Sequence, residues 1–416
     1  MRAPATAFVL VVSTLTAAAA PAPAGPPASG GVLAPARSSV DFVTFAQGAQ
    51  PLSLSIDGVA SSDLEGAIRA IDGAPTPFVL VRAGKADSVV EIVYLLPAPT
   101  RFDAFAVPTV TEVPSRATTF LRTIEVSGSA TGADTGFQVL AAATLTTHKK
   151  RGLVSPLKVT ASPAVRWLKL RMTGGLVLPD GKASLQFSEL EGYGRQDAVA
   201  LATGFKAIWS GKGVLIELSQ SGATVSGCYD SDGGQLQGTV SGNILRAVGV
   251  DPGDKVTSVF VLMVGADGGL RGLRSTNGAP FRIYQGDPAP AGTTTRCSAP
   301  PPKLGCGSVI HAVNFDFDSA RIRPDSEPVL AELHRGLAAD KSQSIVVEGH
   351  TSSEGRKDHN QALSLARAQA VVDDLVRRGL DKRRLRAAGR GPDEPIASNQ
   401  DEAGRALNRR VEIQCK

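Results

Sequence analysis

The sequence predicts a multidomain fold in which an N-terminal β-sandwich and a small antiparallel β meander or barrel precede a C-terminal α/β sandwich. Three observations support this fold class. Short alternating or β-branched runs, separated by turn clusters, fill residues 38–285. Amphipathic helical patterns alternate with strands only beyond Cys306. Two Pro-rich stretches, 25–37 and 286–303, have the composition of linkers and separate these parts.

The N-terminus has the features of a secretory signal peptide. Arg2 precedes an apolar run over residues 7–20, and the small-residue triplet that ends at Ala24 is typical of a cleavage site. The apolar run is too short to span a bilayer. We therefore expect residues 1–24 to be removed on export and residues 25–37 to form a flexible tether.

Export bears on the four cysteines, because disulfides persist outside the reducing cytoplasm. Four cysteines allow three pairings. Pairing within domains, which joins Cys228 to Cys297 and Cys306 to Cys415, is the preferred hypothesis. No Cys/His spacing in the sequence is typical of zinc binding, and we expect neither a metal nor a cofactor. The formal net charge of +5 is spread along the chain, so nucleic acid is not a predicted partner.

Residues 38–197 are predicted to form the β-sandwich. The predicted strands cover residues 89–95, 102–107, 123–127, 137–142, 165–172 and 185–193. Asp72-Gly73 and the later string Glu189-Leu190-Glu191-Gly192-Tyr193-Gly194 resemble the discoidin-like jelly roll of the galactose-binding class. The resemblance covers about one third of the chain and implies a ligand site on loops at one end, which makes carbohydrate a candidate ligand. From the residues alone, Asp72-Gly73 is expected to form a turn, and Glu189 to close a loop or hold a cation.

Residues 200–285 are predicted to form the meander or barrel, because turns recur roughly every ten residues. The predicted strands cover residues 214–218, 224–229, 236–240, 258–264 and 270–273. A transmembrane barrel built from this region and the preceding one is the alternative. An aromatic content of 5% disfavours it, because such barrels carry aromatic girdles at both membrane interfaces.

Residues 304–416 are predicted to pack helices on a sheet. The predicted elements are a strand at 313–318, a helix that begins at Pro324, a strand at 344–348, a helix at 359–378, a strand at 385–388, a short helix at 402–407 and a strand at 410–414.

Several strings in this segment, in order, resemble the OmpA-like peptidoglycan-binding domain. They include Phe315-Asp316-Phe317-Asp318-Ser319, Glu348-Gly349-His350-Thr351, Leu363-Ser364 with Arg367-Ala368, Pro395-Ile396-Ala397 with Asn399, and Asn408-Arg409-Arg410-Val411-Glu412. The resemblance implies a periplasmic or outer-membrane-associated protein of a Gram-negative envelope. It also implies non-covalent binding of peptidoglycan through the diaminopimelate residue of the stem peptide, without catalysis. The N-terminal domains would then present surfaces for carbohydrate or envelope protein.

A ligand that carries carboxylates and an ammonium requires a fixed cation and polar or acidic acceptors. Arg367 is the expected carboxylate clamp, since a guanidinium donates two parallel hydrogen bonds that Lys cannot reproduce. The other expected site residues are Asp316 as ammonium acceptor, Thr351 and Asn360 as neutral hydrogen-bonding groups, Ser352, Asn408, and Arg409 as an additional or bracing charge.

Ser352 is a departure from the family pattern, in which Asp is common at this position. A hydroxyl cannot supply the counter-charge of an ammonium. Glu354 or Asp316 is expected to take the role, with weaker binding or an altered stem preference. His350 is expected to be structural, because no Ser, Cys or second His stands at a catalytic spacing.

An envelope hydrolase is the alternative function, with a catalytic site in a β domain and the C-terminal domain serving only to localise it. The sequence contains no paired-carboxylate motif in strand context, no metal-ligand spacing and no nucleophile elbow. It therefore favours a binding protein that is not an enzyme.

Overall fold

The computed structural model describes residues 40–62, 64–85, 87–112, 118–174, 183–211, 214–230, 233–251, 257–342 and 344–416. The expected signal peptide and tether lie outside these residues. No helix within the described ranges combines the length and the apolar character that a membrane crossing requires. All described residues belong to one compact unit.

Two sheets that share one hydrophobic core form the N-terminal sandwich. Its elements are a 3-10 turn (Phe45–Gln47), β1 (Gln50–Ile56), β2 (Val59–Ala60), α1 (Glu65–Arg69), β3 (Phe78–Gly84), β4 (Val89–Pro108), β5 (Thr118–Phe120), β6 (Thr123–Ser129), β7 (Gln138–Thr144), β8 (Val154–Leu157), β9 (Val165–Thr173), β10 (Ala183–Phe187) and β11 (Glu191–Gln196). The larger sheet has the order β2-β1-β4-β9-β6-β7, with β8 and β11 also paired to β4. The smaller sheet has the order β3-β10-β5.

β4 is one long strand where the sequence predicted two. Its first half pairs with β1 and β9, and its second half pairs with β8 and β11. The register with β9 breaks between Leu95 and Thr100, where two prolines lack the amide hydrogen that a ladder requires. The predicted strand 185–193 is instead divided, because residues 188–190 carry the chain from the smaller sheet to the larger one.

Eight antiparallel strands form a closed barrel in the centre of the chain. They are β12 (Ala207–Gly211), β13 (Val214–Ser221), β14 (Thr224–Tyr229), β15 (Gly234–Ser241), β16 (Ile244–Val250), β17 (Thr257–Val264), β18 (Leu270–Thr276) and β19 (Arg282–Pro288). Apolar and aromatic side chains fill the interior, and Trp209, Tyr229 and Phe260 are the largest. A small antiparallel barrel is therefore confirmed.

Part of the outer wall of the barrel packs on the sandwich. Five apolar side chains from three barrel strands belong to the sandwich core, namely Ile244, Val259, Val261, Met263 and Leu273. At the same junction, buried Arg246 donates from Nη2 to the carbonyl oxygen of Ala46 at 2.5 Å. Apolar packing therefore holds these two parts together directly.

The segment that follows the barrel runs along the barrel wall. Residues 286–288, which were assigned to the linker, belong to β19. Cys297 forms a disulfide with Cys228 of β14, and Ser226 Oγ donates to the carbonyl oxygen of Pro300 at 2.5 Å. The extended segment is thus attached to the barrel at two neighbouring points.

The C-terminal domain packs helices against a four-stranded sheet. Its elements are β20 (Val309–Ile310), a 3-10 turn (Pro324–Ser326), α2 (Glu327–Ala339), β21 (Ile345–His350), α3 (Lys357–Arg377), β22 (Leu385–Gly391), α4 (Glu402–Asn408) and β23 (Val411–Cys415), with a short 3-10 turn (Lys382–Arg384) before β22. The sheet order is β20-β23-β21-β22, and β21 and β22 are parallel. A disulfide joins Cys306 to Cys415, so both disulfides are the pairs that the sequence favoured.

The prediction of a strand at residues 313–318 is wrong. The edge of the sheet is β20, and residues 313–318 form a loop with a single bridge between Phe315 and Ile322. Asp318 has a φ of +48°, and the amide of Ser319 donates to the carbonyl oxygen of Asp316. This turn reverses the chain before a longer ladder can form.

Polar contacts tie the C-terminal domain to both preceding parts. Glu332 of α2 is buried and accepts hydrogen bonds from the amide of Ala223, at 3.1 Å, and from the hydroxyl of Thr224. The amide of Glu402 donates to the carbonyl oxygen of Gly73 in the sandwich at 3.2 Å. The N-terminal sandwich therefore touches the first residue of α4.

Candidate functional site

Arg367 lies on α3 opposite the loop at 315–319. Its Nε donates to the carbonyl oxygen of Ser319 at 2.9 Å, and its Cζ lies 5.0 Å from the centre of the Phe315 ring. No carboxylate in the described part of the chain forms an ion pair with it. Burial, reinforced by the charge of Arg409, lowers the pKa of Arg367 to about 10, so it remains a cation at neutral pH. The site thus contains an oriented, partly desolvated guanidinium with two terminal nitrogens to offer.

A network of four charges surrounds the start and end of α4. Glu402 accepts from Arg405 Nε at 2.9 Å and from Arg409 Nη2. Glu354 Oε2 lies 3.5 Å from Arg405 Nε and 3.7 Å from Arg409 Nη1. Burial alone would raise the pKa of Glu402, but the two arginines outweigh it and lower the pKa below its ordinary value. This network holds Arg409 close enough to Arg367 for their charges to interact.

Ser352 and Glu354 belong to the loop between β21 and α3. The side-chain amide of Asn360 donates to the carbonyl oxygens of Ser352, at 3.3 Å, and Glu354, at 2.7 Å. Ser352 Oγ lies 3.4 Å from Glu354 Oε2. Thr351 is buried, and its hydroxyl has no hydrogen-bond partner among the described residues. Asn360 therefore braces the loop, and Ser352 faces Glu354.

Two predicted site residues are engaged in local structure. Buried Asn408 accepts from the amides of Ile396 and Ala397 at 2.9 and 3.1 Å, and donates to the carbonyl oxygen of Ala397 at 2.9 Å. Asp316 forms an ion pair with Arg321. Asn408 thus fixes the loop that precedes α4, and the carboxylate of Asp316 is directed to Arg321 rather than to Arg367.

Asp318 is a neighbour of the site that was not predicted from the sequence. Its charge favours the protonated form of Arg367, and its Oδ1 lies 2.5 Å from His359 Nε2. An open depression of about 480 Å³, lined by Arg356, Asp358 and His359, lies beside it. The sequence at 315–318 offers Asp316 and Asp318 equally as neighbours of Arg367. The turn at Asp318 determines that Asp318 is the one that approaches it.

His350 lies on the face of β21 that points away from the helices. It is buried, and Glu412 Oε1 is 3.7 Å from its Nε2. Burial, followed by the charge of Arg410, lowers the pKa of His350 to about 4. Glu348, His350 and Glu412 are close enough to share a metal ion, yet Arg390 and Arg410 already pair with the two carboxylates. These pairs balance the charge of the cluster without a metal.

Comparison with known proteins identifies the C-terminal domain. Residues 314–409 match the OmpA family. The chain is 42% identical over 100 residues to outer membrane porin F of Pseudomonas fluorescens, covering 24% of this chain and 31% of that protein. It is 35% identical over 99 residues to the peptidoglycan-associated lipoprotein of Pseudomonas aeruginosa, covering 24% of this chain and 58% of the lipoprotein. The match therefore spans about one third to somewhat over half of these relatives.

A solved structure also matches about a quarter of the chain. The crystal structure of the peptidoglycan-associated lipoprotein from Burkholderia pseudomallei is 31% identical, covers 25% of this chain and 88% of that chain, and has a TM-score of 0.24. The resemblance of the C-terminal segment to the OmpA family is confirmed by the family match.

Proposed function

We propose that this chain is an exported Gram-negative envelope protein that binds peptidoglycan non-covalently through its C-terminal domain. The domain recognises the diaminopimelate residue of the stem peptide and performs no chemistry on it. The N-terminal sandwich and barrel present surfaces for carbohydrate or for another envelope protein. The family match, and relatives named as outer membrane and peptidoglycan-associated proteins, support the envelope assignment.

The observation that carries the proposal is the state of Arg367. Its Nε donates to the carbonyl oxygen of Ser319 and its Cζ lies 5.0 Å from the centre of the Phe315 ring, so the side chain is already oriented. A ligand carboxylate can accept from the two terminal nitrogens without an existing ion pair being broken. Since Arg367 is partly desolvated, the new pair is less screened than one on an open surface.

Arg409 gives the site a second cation. Its charge disfavours the protonated form of Arg367, although Arg409 also pairs with Glu402. A ligand carboxylate near both relieves this repulsion. The arrangement therefore favours a ligand with a fixed anionic group, as the stem peptide has, over a neutral sugar alone.

Co-sedimentation of the full-length chain with purified peptidoglycan sacculi tests the proposal. We expect the parent protein to pellet with sacculi and Arg367→Ala to lose at least tenfold in affinity, the size expected for a charge-assisted contact. Arg383→Ala is the matched control, because it removes a positive charge from a side chain that is 91% exposed. If the Arg367→Ala and Arg383→Ala variants pelleted equally, the assignment of Arg367 to the binding site would be refuted.

A further inference from the structure

A groove lies between the wall of the barrel and the start of the C-terminal domain, and Arg367 and its neighbours do not line it. Strands β14, β15 and β16 form one side, and residues 302–304 and 307–309 form the other. Its volume of about 240 Å³ is below the roughly 300–1,000 Å³ of sites for drug-sized ligands. The groove therefore admits a short piece of chain and not a folded domain.

One row of side chains across the barrel wall is fully engaged with other parts of the chain. The strand register places Thr224, Thr239 and Arg246 directly opposite one another, on the same face of the wall. Thr224 donates to Glu332 of α2, and Arg246 donates to the sandwich. Thr239 Oγ1 accepts from the amide of His311 at 3.0 Å. This part of the wall therefore already holds a main-chain amide of the C-terminal domain.

The next two rows on the same face are engaged only at β14. They are Ser226-Gln237-Val248 and Cys228-Gln235-Val250. Ser226 Oγ donates to the carbonyl oxygen of Pro300, and Cys228 forms its disulfide with the same extended segment. The carboxamides of Gln235 and Gln237 are exposed and have no hydrogen-bond partner among the described residues. Each carboxamide can donate to a carbonyl oxygen and accept from an amide.

Main-chain groups of a sheet edge lie across the groove from these carboxamides. β20 is an edge strand, because it pairs only with β23 among the described strands. The amide of His311, directly after β20, donates to Thr239 of β15, so this edge faces the barrel wall. An edge strand offers amide and carbonyl groups to an added strand. Gln235 and Gln237 stand about 6.8 Å apart along β15, which is the spacing of alternate residues in an extended ligand. An extended peptide uses both sides of the groove, whereas a sugar would leave the strand edge unpaired.

The remaining lining residues define the side chains of such a ligand. Val248 and Val250 are half-buried and line the groove beside the carboxamides. Since side chains of a strand alternate, every second residue of the ligand would contact these valines. Lys303 is exposed and forms no ion pair with the described residues, so it favours an acidic residue at one end. The two disulfides fix residues 297 and 306 on either side of the groove, which reduces the entropy lost on binding.

We propose that this groove binds an extended segment of a partner protein, with β-branched side chains at alternate positions and an acidic residue at one end. The segment adds a strand to the open edge of β20. Its main chain bonds to the carboxamides of Gln235 and Gln237, and its carboxylate pairs with Lys303. The assignment gives the barrel a partner of defined chemistry and is independent of the recognition of peptidoglycan at Arg367.

Fluorescence polarisation with the full-length chain tests this assignment with two labelled peptides of the same composition. One is Ser-Val-Ser-Val-Ser-Glu, and in the other, Val-Val-Ser-Ser-Ser-Glu, the valines no longer alternate. We expect the parent to prefer the alternating peptide about tenfold, because only that peptide places both valines in the groove. Gln235→Ala/Gln237→Ala should weaken its binding about tenfold through the loss of main-chain hydrogen bonds. Lys303→Gln should weaken it about threefold at low salt and remove its salt dependence.

Gln138→Ala is the matched control, because it removes an exposed glutamine from a strand of the sandwich that does not line the groove. It should bind the alternating peptide as the parent does. Equal affinity of the parent and the Gln235→Ala/Gln237→Ala variant would overturn the assignment, and so would no binding, or equal binding, of the two peptides by the parent. Displacement of the peptide by a trimer of N-acetylglucosamine would identify a carbohydrate site in its place.

Co-sedimentation with sacculi separates this assignment from the proposed function. The Gln235→Ala/Gln237→Ala variant should pellet with sacculi as the parent does, because its changes lie outside the residues around Arg367. A parent that binds the peptide but does not pellet would defeat the proposed function and leave the groove assigned. A double variant that no longer pellets would show that the groove serves wall binding, and would overturn the independent role proposed for it.

Discussion

Asp41 provides a direct test of how the sandwich is closed, because its carboxyl lies close to the carboxyl groups of Glu191 and Glu402. Its Oδ1 accepts from the amides of Gly192 and Val43 at 2.8 and 3.0 Å, which ties the start of the sandwich to β11. Burial, followed by the charge of Glu191, raises the pKa of Asp41 from 3.8 to about 8. Burial likewise raises the pKa of Glu189 well above its ordinary value.

The sign of the pH dependence follows from this shift. Between pH 4 and 8 the folded protein keeps a proton on Asp41 that the unfolded chain has released. The stabilisation is therefore complete below pH 3.8 and is lost as pH rises towards about 8. From pH 5 to pH 8 the largest loss in the free energy of unfolding that Asp41 can cause is about 4 kcal/mol, at 1.36 kcal/mol per pH unit. Since Asp41 is only partly buried, solvent screening reduces this effect, and we expect a loss of roughly 2 kcal/mol, half of the maximum.

Replacing Asp41 with Asn keeps the acceptor oxygen and removes the titratable carboxyl. Urea unfolding followed by tryptophan fluorescence, with Trp167 in β9 as the reporter of the sandwich, gives the free energy of unfolding at each pH. We expect the variant to gain about 2 kcal/mol on the parent between pH 5 and pH 8. Asp103→Asn, at an exposed position of β4, should follow the parent throughout. Parallel pH profiles for Asp41→Asn and the parent would show that Asp41 does not keep its proton in the folded protein.

Two further predictions concern the connections between the parts of the chain. Replacing Cys306 and Cys415 with Ser opens a loop with a sequence separation of 109, which should lower the free energy of unfolding by about 4 to 5 kcal/mol in denaturant titrations without reductant. An unchanged midpoint would show that the disulfide is dispensable. Gly73→Ala should destabilise the chain by at least about 1 kcal/mol more than Gly152→Ala. Both glycines have a φ near +80°, but only a Cβ at position 73 would meet another residue, at 2.4 Å from the Cβ of Glu402. Equal losses in thermal unfolding would argue against close packing at that contact.

Several strands that the sequence predicted have one buried face, although β14 and β17 were predicted with almost all of their residues buried. β9 and β15 alternate because one face meets the core and the other does not. β16 was missed, since the sandwich covers the outer wall of the barrel there and both faces of the strand are buried. A strand buried on both sides has no period of two to detect. Residues 313–318 are the opposite case. Their apolar and polar side chains alternate as in a strand, yet the segment forms only one isolated bridge and no ladder.

The site was predictable to the extent that it follows local motifs. The positions of Arg367, Ser352 and Asn360 follow from helix and loop strings that the family shares. Glu402 could not be found in this way, because its importance depends on contacts with Arg409 and with Gly73 of the distant sandwich. Periodicity within one segment carries no information about which segment packs against it.

Glu402 also connects the candidate site to the rest of the molecule. Its carboxylate holds Arg405 and Arg409, while its amide donates to Gly73. The close approach of the two backbones leaves no space for a Cβ at position 73. Any displacement of the sandwich loop therefore moves the first turn of α4, and with it the carboxylate that positions Arg409. We therefore expect the affinity of the candidate site to depend on this contact, and the full-length chain is the appropriate protein for measuring it.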